Sequence, residues 1–433
     1  MATSDSNSRH SSVNGMPASS TLIADSQVTR VASGEGETLP RSFEFGPAIA
    51  ARIVEADEMR ALEPLWRDLF DGCSQANPFY GPDFLLPLLD LGGRIARTRF
   101  LIVEAHSGAR IELAALCPIT VTGLGTPGLR RSIGALRHPY IFNQLPLLRA
   151  GFEAKLWQHM LNAMEAAFGR GIFLIPASPL DSPVARGLRE ALAVSERASL
   201  VVARGERAAI IAPGDVEAHL ARLKSRRRAK IRRHERELRK LGQLHFVSAT
   251  SGSRLAEAVE AFIALEASGW KGRQGTAFAS NPRALAFARQ ALSSARGAPG
   301  VRVDYLTLDG KPIGACLHLN ARGYSATFKT AHDEAFAKHA PGVLSMVFSL
   351  QSLLGESWTE CLDSGAPPEH AVGAVWQDRI PVADILGALS PRQTRRELQF
   401  HAHAQTLIDS ARTKARSAYY MLIGHKRTSA RKG

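Results

Sequence analysis

The chain has 433 residues, of which 45% are hydrophobic and 22% charged, a composition typical of a soluble globular protein with two or three compact domains. No uncharged apolar run reaches the ~18 residues that span a bilayer, and no basic-then-apolar signal is present, so we expect a cytoplasmic protein. Metal sites and disulfide frameworks are not indicated, because no CxxC or Cys/His ligand spacing relates the four cysteines, Cys73, Cys117, Cys316 and Cys361.

The net charge of +14 is concentrated in two segments. Between Arg222 and Lys240 there are eleven Lys and Arg against two Glu, and after Asp409 there are seven Lys and Arg and no acid. The rest of the chain is therefore slightly acidic. The high isoelectric point describes these two segments and not a uniformly basic surface.

Residues 1–42 are rich in Ser, Thr, Asn and Gly, which predicts a disordered tail. Residues 43–212 alternate helical and strand periodicities and predict a first α/β module. Its expected elements are a helix over 56–73, two strands over 100–104 and 111–121, a helix over 154–168, a strand over 171–178 and a helix capped by Ser182.

Residues 246–390 repeat that order of elements. Helices are expected over 254–269 and 283–295, followed by three strands with turns at Asp309-Gly310 and Arg322-Gly323, an apolar helix over 343–354 and a last strand over 358–364. The fold class is therefore α/β, with two tandem modules whose mixed sheets are flanked by helices. Residues 391–433 are expected to form a basic C-terminal tail.

Residues 213–245, between the modules, predict one long basic helix ending at Gly242, with leucines on one face and arginines elsewhere. A basic stripe is the electrostatic footprint of nucleic-acid binding. The alternative is a solvated linker helix that packs by its leucine edge. We favour the linker, because the aromatic residues that would stack on bases are absent from the segment.

Four stretches carry a resemblance to a known family: "LEASGWKGRQGTAF", "DGKPIGACLHL", "FKTAHDEAFAKHAPGVL" and "DSGAPPEHAVGAVWQDR". They resemble the acetyltransferase-type domain of CelD-like proteins, which have the N-acetyltransferase (GNAT) fold and are distantly related to the FemAB peptidyltransferases. The resemblance covers residues 220–386 well and residues 43–212 more loosely. It implies two GNAT-like modules and acyl transfer from acyl-CoA to an amine or hydroxyl, with an acceptor in polysaccharide or envelope assembly.

An acyl carrier's diphosphate needs backbone N–H donors, which the start of the helix after Pro341 can supply. Gly342 and Val343 would present the amides, and Lys338 and His339 would add positive charge. The alternative is that Pro341 is an ordinary first-turn proline of a core helix. The carrier's thioester would lie along a central strand, where His318 and Lys329 are polar residues in apolar runs. They either face the cleft or lie on an exposed face of the strand.

Asp363 and His370 are the candidate catalytic base pair. Asp363 follows an apolar strand and would project into the cleft, and a histidine has a reference pKa suited to proton removal near neutrality. An ordinary turn and a surface histidine are the alternatives. Glu266 is a rival base or substrate contact.

Substrate contacts are expected from Trp270 and Lys271, which follow Glu266. Trp376 is a further candidate contact, although we favour a core position for it. No GxSxG, Walker or HExxH motif is present, and the glycines of "TGLGTPG" (122–128) follow a predicted strand but lack the helix that a dinucleotide site needs. We expect direct transfer without a covalent enzyme intermediate, because no Cys/His nucleophile pair is evident. Two rival functions remain open. One is a Fem-like aminoacyltransferase that binds charged tRNA through Arg222–Lys240, and the other is a non-catalytic binding protein of the same fold.

Overall fold

The computed structural model describes residues 48–122, 131–211, 216–293, 300–356, 359–408 and 410–411. The expected tail over residues 1–42 and most of the basic C-terminal tail lie outside them. The strands are β1 (Ala48–Val54), β2 (Arg99–Ser107), β3 (Arg110–Thr122), β4 (Arg131–Ala135), β5 (Leu147–Leu148), β6 (Gly171–Pro179), β7 (Ser199–Ile211), β8 (Leu244–Ala249), β9 (Val301–Leu308), β10 (Lys311–Ala321), β11 (Tyr324–His332), β12 (Cys361–Asp363) and β13 (Asp378–Ala388).

The α-helices are α1 (Ala56–Ala61), α2 (Glu63–Gly72), α3 (Pro82–Leu89), α4 (Glu153–Phe168), α5 (Pro183–Val194), α6 (Val216–Ala221), α7 (Ser225–Arg239), α8 (Gly252–Ser268), α9 (Trp270–Arg273), α10 (Pro282–Leu292) and α11 (Pro341–Leu354). A further helix covers residues 395–408. Short 3-10 turns precede and follow α11, at Glu334–His339 and Ala371–Ala374. Among the described residues, no helix is both long and apolar enough to cross a membrane.

All thirteen described strands belong to one mixed sheet, in the order β1-β2-β3-β4-β6-β13-β7-β12-β11-β10-β9-β8, with β5 paired to β3. Each half contributes an antiparallel meander followed by a parallel strand: β6 is parallel to β4, and β12 is parallel to β11. The predicted mixed α/β class with two similarly built halves is confirmed.

The halves exchange their last strands at the centre of the sheet. β7, from the first half, pairs with β12 of the second half, while β13, from the second half, lies antiparallel between β6 and β7. Two modules that sequence analysis treats as successive therefore share one continuous hydrogen-bonded sheet. The central strands of each half depend on the other half for their partners.

One core cluster combines both halves on one face of the sheet. Phe84 of α3 makes edge-to-face contacts with Phe287 of α10 and Phe328 of β11. On the other side, α4 and α5 cover the first half of the sheet, and α6, α7 and α11 cover the second. The shared aromatic cluster adds apolar burial to the strand exchange, so the two halves form one packed unit.

Several local predictions are confirmed. Ser182 caps α5 by accepting a hydrogen bond from the Ala185 amide at 3.0 Å. Arg322 and Gly323, with φ values of 25° and 75°, form the tight turn between β10 and β11, which requires left-handed backbone at both positions.

Other local predictions are wrong. The helix expected over 56–73 breaks at Leu62, because Pro64 lies in the first turn of α2. The long basic helix expected within 213–245 is two helices, α6 and α7, with residues 222–224 between them. Of the leucines expected on one face of that helix, Leu220, Leu223 and Leu238 are buried, whereas Leu241 is 52% exposed.

Candidate active site

A cleft of about 570 Å³ opens where β11 loses its parallel neighbour. The pairing of β11 with β12 ends at Ala326 and Asp363, whereas β11 continues to His332. Among the described residues, the edge of β11 that faces away from β10 therefore has no strand partner beyond Ala326. The end of α8, α9, the start of α11 and the loop at His370 form the other walls. The volume lies within the range of small-molecule sites.

The structure brings six of the residues predicted from sequence into this one cleft. They come from four separate segments of the chain: Glu266, Trp270, Lys271, Gly342, Val343 and His370. A seventh, Lys329, contacts Glu266 from the adjoining strand. Residues that are more than a hundred positions apart thus form one site.

Glu266 is the centre of the polar contacts beneath the cleft. Its carboxylate is fully buried and accepts hydrogen bonds from Lys329 Nζ at 2.7 Å, Lys271 Nζ at 3.4 Å and the Phe278 amide at 2.9 Å. Three donors leave this carboxylate little capacity to take a proton from a substrate. Glu266 is therefore better suited to holding the two lysines in place than to general-base catalysis.

Lys329 and Lys271 differ in their surroundings. Burial lowers the pKa of Lys329, and Glu266 partly restores it; the ammonium also lies 4.0 Å from the centre of the Phe278 ring. Lys271 instead donates to the Thr330 carbonyl at 2.8 Å, and so spans from α9 to β11. This contact places a second positive charge beside the strand along which a thioester is expected to bind.

The start of α11 offers fewer free donors than expected. Ala340 has left-handed backbone (φ 49°, ψ 52°) and Pro341 lacks an N–H. The Ala340 carbonyl accepts hydrogen bonds from the amides of both Val343, at 3.0 Å, and Leu344, at 3.1 Å. Within the described residues, this leaves Gly342 as the first-turn amide without a protein acceptor. An anion at this helix start would have one backbone donor and the positive end of the helix dipole.

His332 is a cleft residue that sequence analysis missed. It ends β11, and its Nδ1 atom lies about 3.4 Å from the position that a Cβ on Gly342 would occupy. An imidazole therefore sits directly beside the free amide. The sequence feature that could have identified His332 is its position at the carboxyl end of a predicted strand, shortly before the predicted phosphate-binding residues Lys338, His339 and Gly342.

His370 lines the cleft from the opposite wall and is exposed to solvent. Its Nδ1 accepts the Val372 amide hydrogen bond at 3.4 Å, which caps the turn Ala371–Ala374. The Nε2 atom is thereby the nitrogen left for proton exchange.

The structure does not bring Asp363 to the cleft. Its carboxyl group is 1% exposed, accepts hydrogen bonds from Tyr324 Oη at 2.8 Å and the Gly365 amide at 2.9 Å, and lies 3.3 Å from Arg207 Nη2. The expected projection into a cleft is wrong because β12 ends inside the sheet, against β7 and β11. Asp363 joins these strands and has no open path to a substrate.

Three further candidates also lie away from the cleft. Trp376 is 1% exposed and packs in the core beneath α11, as the core-aromatic alternative predicted. Lys338 is exposed but does not line the cleft. His339 is buried and contacts Glu237 of α7, with Nδ1 and Oε2 3.2 Å apart. It therefore faces α7 and not the start of α11, where the carrier's diphosphate was expected.

Comparisons with known proteins agree with this architecture. Residues 225–370 match the profile of the acetyltransferase (GNAT) domain family. The matched region runs from the basic helix α7 to His370, so it contains the cleft and includes a segment that sequence analysis assigned to a linker. No curated protein shows significant sequence similarity to the chain.

Three solved structures are similar to the chain at low sequence identity, and the likeness to FemX indicates a shared fold. FemX has a TM-score of 0.50 and 10% identity over 78% of this chain and 97% of its own. A conserved protein of unknown function from Bacteroides thetaiotaomicron has a TM-score of 0.45 and 12% identity, over 76% of this chain and 97% of its own. A tandem GNAT protein from the clavulanic acid biosynthesis pathway has a TM-score of 0.39 and 13% identity, over 80% of this chain and 100% of its own. Residues 225–370 thus match a GNAT acetyltransferase domain, and the likeness to FemX shows the fold alone.

Proposed function

We propose that the cleft transfers an acyl group from acyl-CoA to an amine or hydroxyl acceptor. The observation that carries this proposal is the meeting, in one cleft, of an unpaired strand edge and a helix start with a free amide. The edge of β11 beyond Ala326 can hydrogen-bond the amide groups of the carrier arm as an added strand would. The Gly342 amide and His332 then face the carrier's negative groups.

His370 is the best-placed base. Its free Nε2 atom would take the proton as the acceptor nitrogen or oxygen attacks the thioester carbonyl. The new bond to the carbonyl carbon forms, the carbon–sulfur bond breaks, and the CoA thiolate leaves. The ammonium groups of Lys271 and Lys329 lie on the side of the strand edge, where they would favour negative charge developing on the carbonyl oxygen.

The positions and the raised thiol pKa values of the four cysteines support direct transfer, without an acyl-enzyme intermediate on cysteine. None of them lines the cleft, and burial is the main cause that raises each thiol pKa, to about 12 for Cys316 and for Cys361. A buried thiol with a raised pKa is a poor nucleophile. We therefore propose no acyl-enzyme on cysteine. The resemblance to CelD-like proteins extends the proposal to a sugar amine or hydroxyl as the acceptor.

Aminoacyl transfer from charged tRNA is the second candidate, and one observation favours it. The α7 helix packs against α11 while Arg226, Arg232 and Arg236 remain exposed. A polyanion on this face would lie next to the element that starts at the cleft. The FemX likeness supports the fold alone.

The proposal is tested by following CoA thiol release from acetyl-CoA and longer acyl-CoAs in the presence of a panel of amine and hydroxyl acceptors. We expect turnover that falls about 100-fold or more in His370→Asn, with unchanged acyl-CoA affinity. His245→Asn, at an exposed histidine on β8, is the matched control and should retain activity. Absence of acyl-CoA binding together with salt-dependent tRNA binding would favour the second candidate instead.

A further inference from the structure

Two histidines and a glutamate from distant parts of the chain converge on the side of α11 away from the cleft. His234 and Glu237 are three residues apart on α7 and so lie on one face of that helix. His339 ends the 3-10 turn Glu334–His339, two residues before α11 begins. One ligand atom from each of the three lies within 4.8 Å of the other two.

The contacts inside this group leave ring nitrogens unused. His339 Nδ1 is 3.2 Å from Glu237 Oε2, and His234 Nδ1 is 3.9 Å from the same oxygen. Among the described residues, neither nitrogen of His234 has a hydrogen-bond partner, nor does Nε2 of His339, although both side chains are only 8% exposed. Buried polar atoms are normally satisfied, so three buried ring nitrogens without partners, both of His234 and Nε2 of His339, require an explanation.

We propose that His234, Glu237 and His339 form a site for a divalent transition metal of the zinc class. Two imidazoles and a carboxylate are the ligand set of open zinc sites, in which a water takes the fourth position. In a tetrahedral site with bonds near 2.0–2.1 Å, ligand atoms are about 3.3 Å apart. The observed 3.2 and 3.9 Å separations approach this spacing, and small side-chain rotations complete it.

The surroundings select among cations. Lys230 and Arg233 place positive charge beside His234. The same positive charges oppose any cation, and Arg233 Nε is 3.6 Å from Glu237 Oε1. A hard ion such as Mg²⁺ or Ca²⁺, which prefers several oxygen ligands, would gain too little here. The site therefore favours transition metals, such as Zn²⁺, that bind imidazole nitrogen well.

A metal bound to His234, Glu237 and His339 would affect the cleft only indirectly, through the backbone that links His339 to α11. His339 is separated from Pro341 by Ala340, whose left-handed backbone sets the start of α11. A metal bridging His339 to α7 would fix the 3-10 turn against the basic helix and restrain the backbone that presents Gly342. This inference does not depend on acyl transfer, since it rests on side chains that do not line the cleft.

The test uses the full chain, stripped of metal with a chelator and titrated separately with zinc chloride and cobalt chloride. We expect one equivalent of Zn²⁺ to bind and Co²⁺ to give the visible absorption of a site with nitrogen and oxygen ligands. His234→Ala and His339→Ala should each weaken binding at least about 10-fold, since each removes a ligand. His245→Ala, at an exposed histidine on β8, is the matched control and should bind as the unmodified chain does.

Glu237→Gln provides the second variant, because Glu237 is 39% exposed and its replacement need not disturb the core. It should also weaken Zn²⁺ binding while leaving the thermal unfolding of the metal-free chain unchanged. Zn²⁺ should raise the melting temperature of the unmodified chain and not that of Glu237→Gln. Failure of the unmodified chain to bind Zn²⁺, or equal binding by Glu237→Gln, would overturn the proposal.

Discussion

Lys329 Nζ lies 2.7 Å from Glu266 Oε1 beneath the cleft, and this ion pair ties β11 to the end of α8. A one-residue bulge at Phe328 precedes Lys329, since Leu317 pairs with Lys329 but His318 pairs with Thr327. Bulges redirect the side chains that follow them. The pair is thus placed by an irregularity of the strand, at the point where the strand edge becomes free.

Breaking this pair should destabilise the protein. Glu266 is fully buried and Lys329 is 12% exposed, so Glu266→Gln leaves the Lys329 ammonium without its counterion. Lys329→Met leaves the buried carboxylate with only the more distant Lys271, at 3.4 Å. We expect Glu266→Gln and Lys329→Met each to lower the free energy of unfolding by about 3 kcal/mol, and the double variant to lose less than the sum. Urea denaturation measures these values. Glu260→Gln, which breaks an exposed pair with Arg289, is the control and should leave the midpoint nearly unchanged. Additive losses in the double variant would contradict the account.

Stability should decline in mild acid because of His318. Burial lowers its pKa to about 4, with Asp304 opposing and Arg302 adding to the effect. A histidine in the unfolded chain has a pKa near 6.5, so between this pH and about pH 4 the unfolded chain is protonated at residue 318 and the folded chain is not. Between about pH 6.5 and pH 4, His318 should therefore remove roughly 3 kcal/mol from the free energy of unfolding.

His318→Gln tests this prediction, because glutamine can keep a hydrogen bond to Ser349 without titrating. The pH slope of its unfolding free energy should be shallower than that of the unmodified chain over the same window. Identical slopes would show that His318 does not contribute.

Strand exchange predicts that the two halves unfold together. β12 depends on β7, and β13 fills the space between β6 and β7. The fragment 225–370, which contains the matched acetyltransferase region, should therefore fail to fold alone, whereas the full chain should show coincident urea transitions by tryptophan fluorescence and circular dichroism. A cooperatively folded fragment, or two separate transitions, would refute the interdependence.

Asp363 should act on stability and not on carrier binding. We expect Asp363→Asn to lower the free energy of unfolding by about 2–4 kcal/mol, because Arg207 would lose its buried counterion. Its affinity for acetyl-CoA, measured at a temperature where it is folded, should equal that of the unmodified chain. Tyr324→Phe removes one hydrogen bond of the same carboxylate and should cost less. If Asp363→Asn lost affinity for acetyl-CoA while its free energy of unfolding stayed unchanged, Asp363 would have to be a site residue after all.

The two halves and most of their local elements could be predicted from sequence, because hydrophobic period, caps and turn residues act over short distances. The hairpin at Arg322-Gly323 and the capped α5 are examples. The strand exchange could not be predicted. The pattern of β7 and β13 contains no information about which neighbouring strand each one pairs with, since hydrogen bonding between strands uses backbone groups common to all residues.

The candidate site shows the same division. The predicted site residues lie in the quoted family stretches, and six of them do line the cleft. Asp363 was misplaced because the end of a strand usually opens to solvent, whereas β12 ends within the sheet. The His234–Glu237–His339 group was not predicted at all, because His339 is more than a hundred residues from the other two members and only α7 packing beside α11 brings them together.

The most direct measurement of the central claim is calorimetric titration with acetyl-CoA of the unmodified chain, Gly342→Ala and Gly342→Glu. A Cβ at residue 342 meets nothing closer than His332 Nδ1 at 3.4 Å, so alanine should bind within about threefold of glycine. Glutamate places a negative charge at the free amide and should weaken binding at least about 10-fold, or about 1.4 kcal/mol. Equal affinity of all three proteins, or no binding by the unmodified chain, would contradict the assignment of this cleft to an acyl carrier.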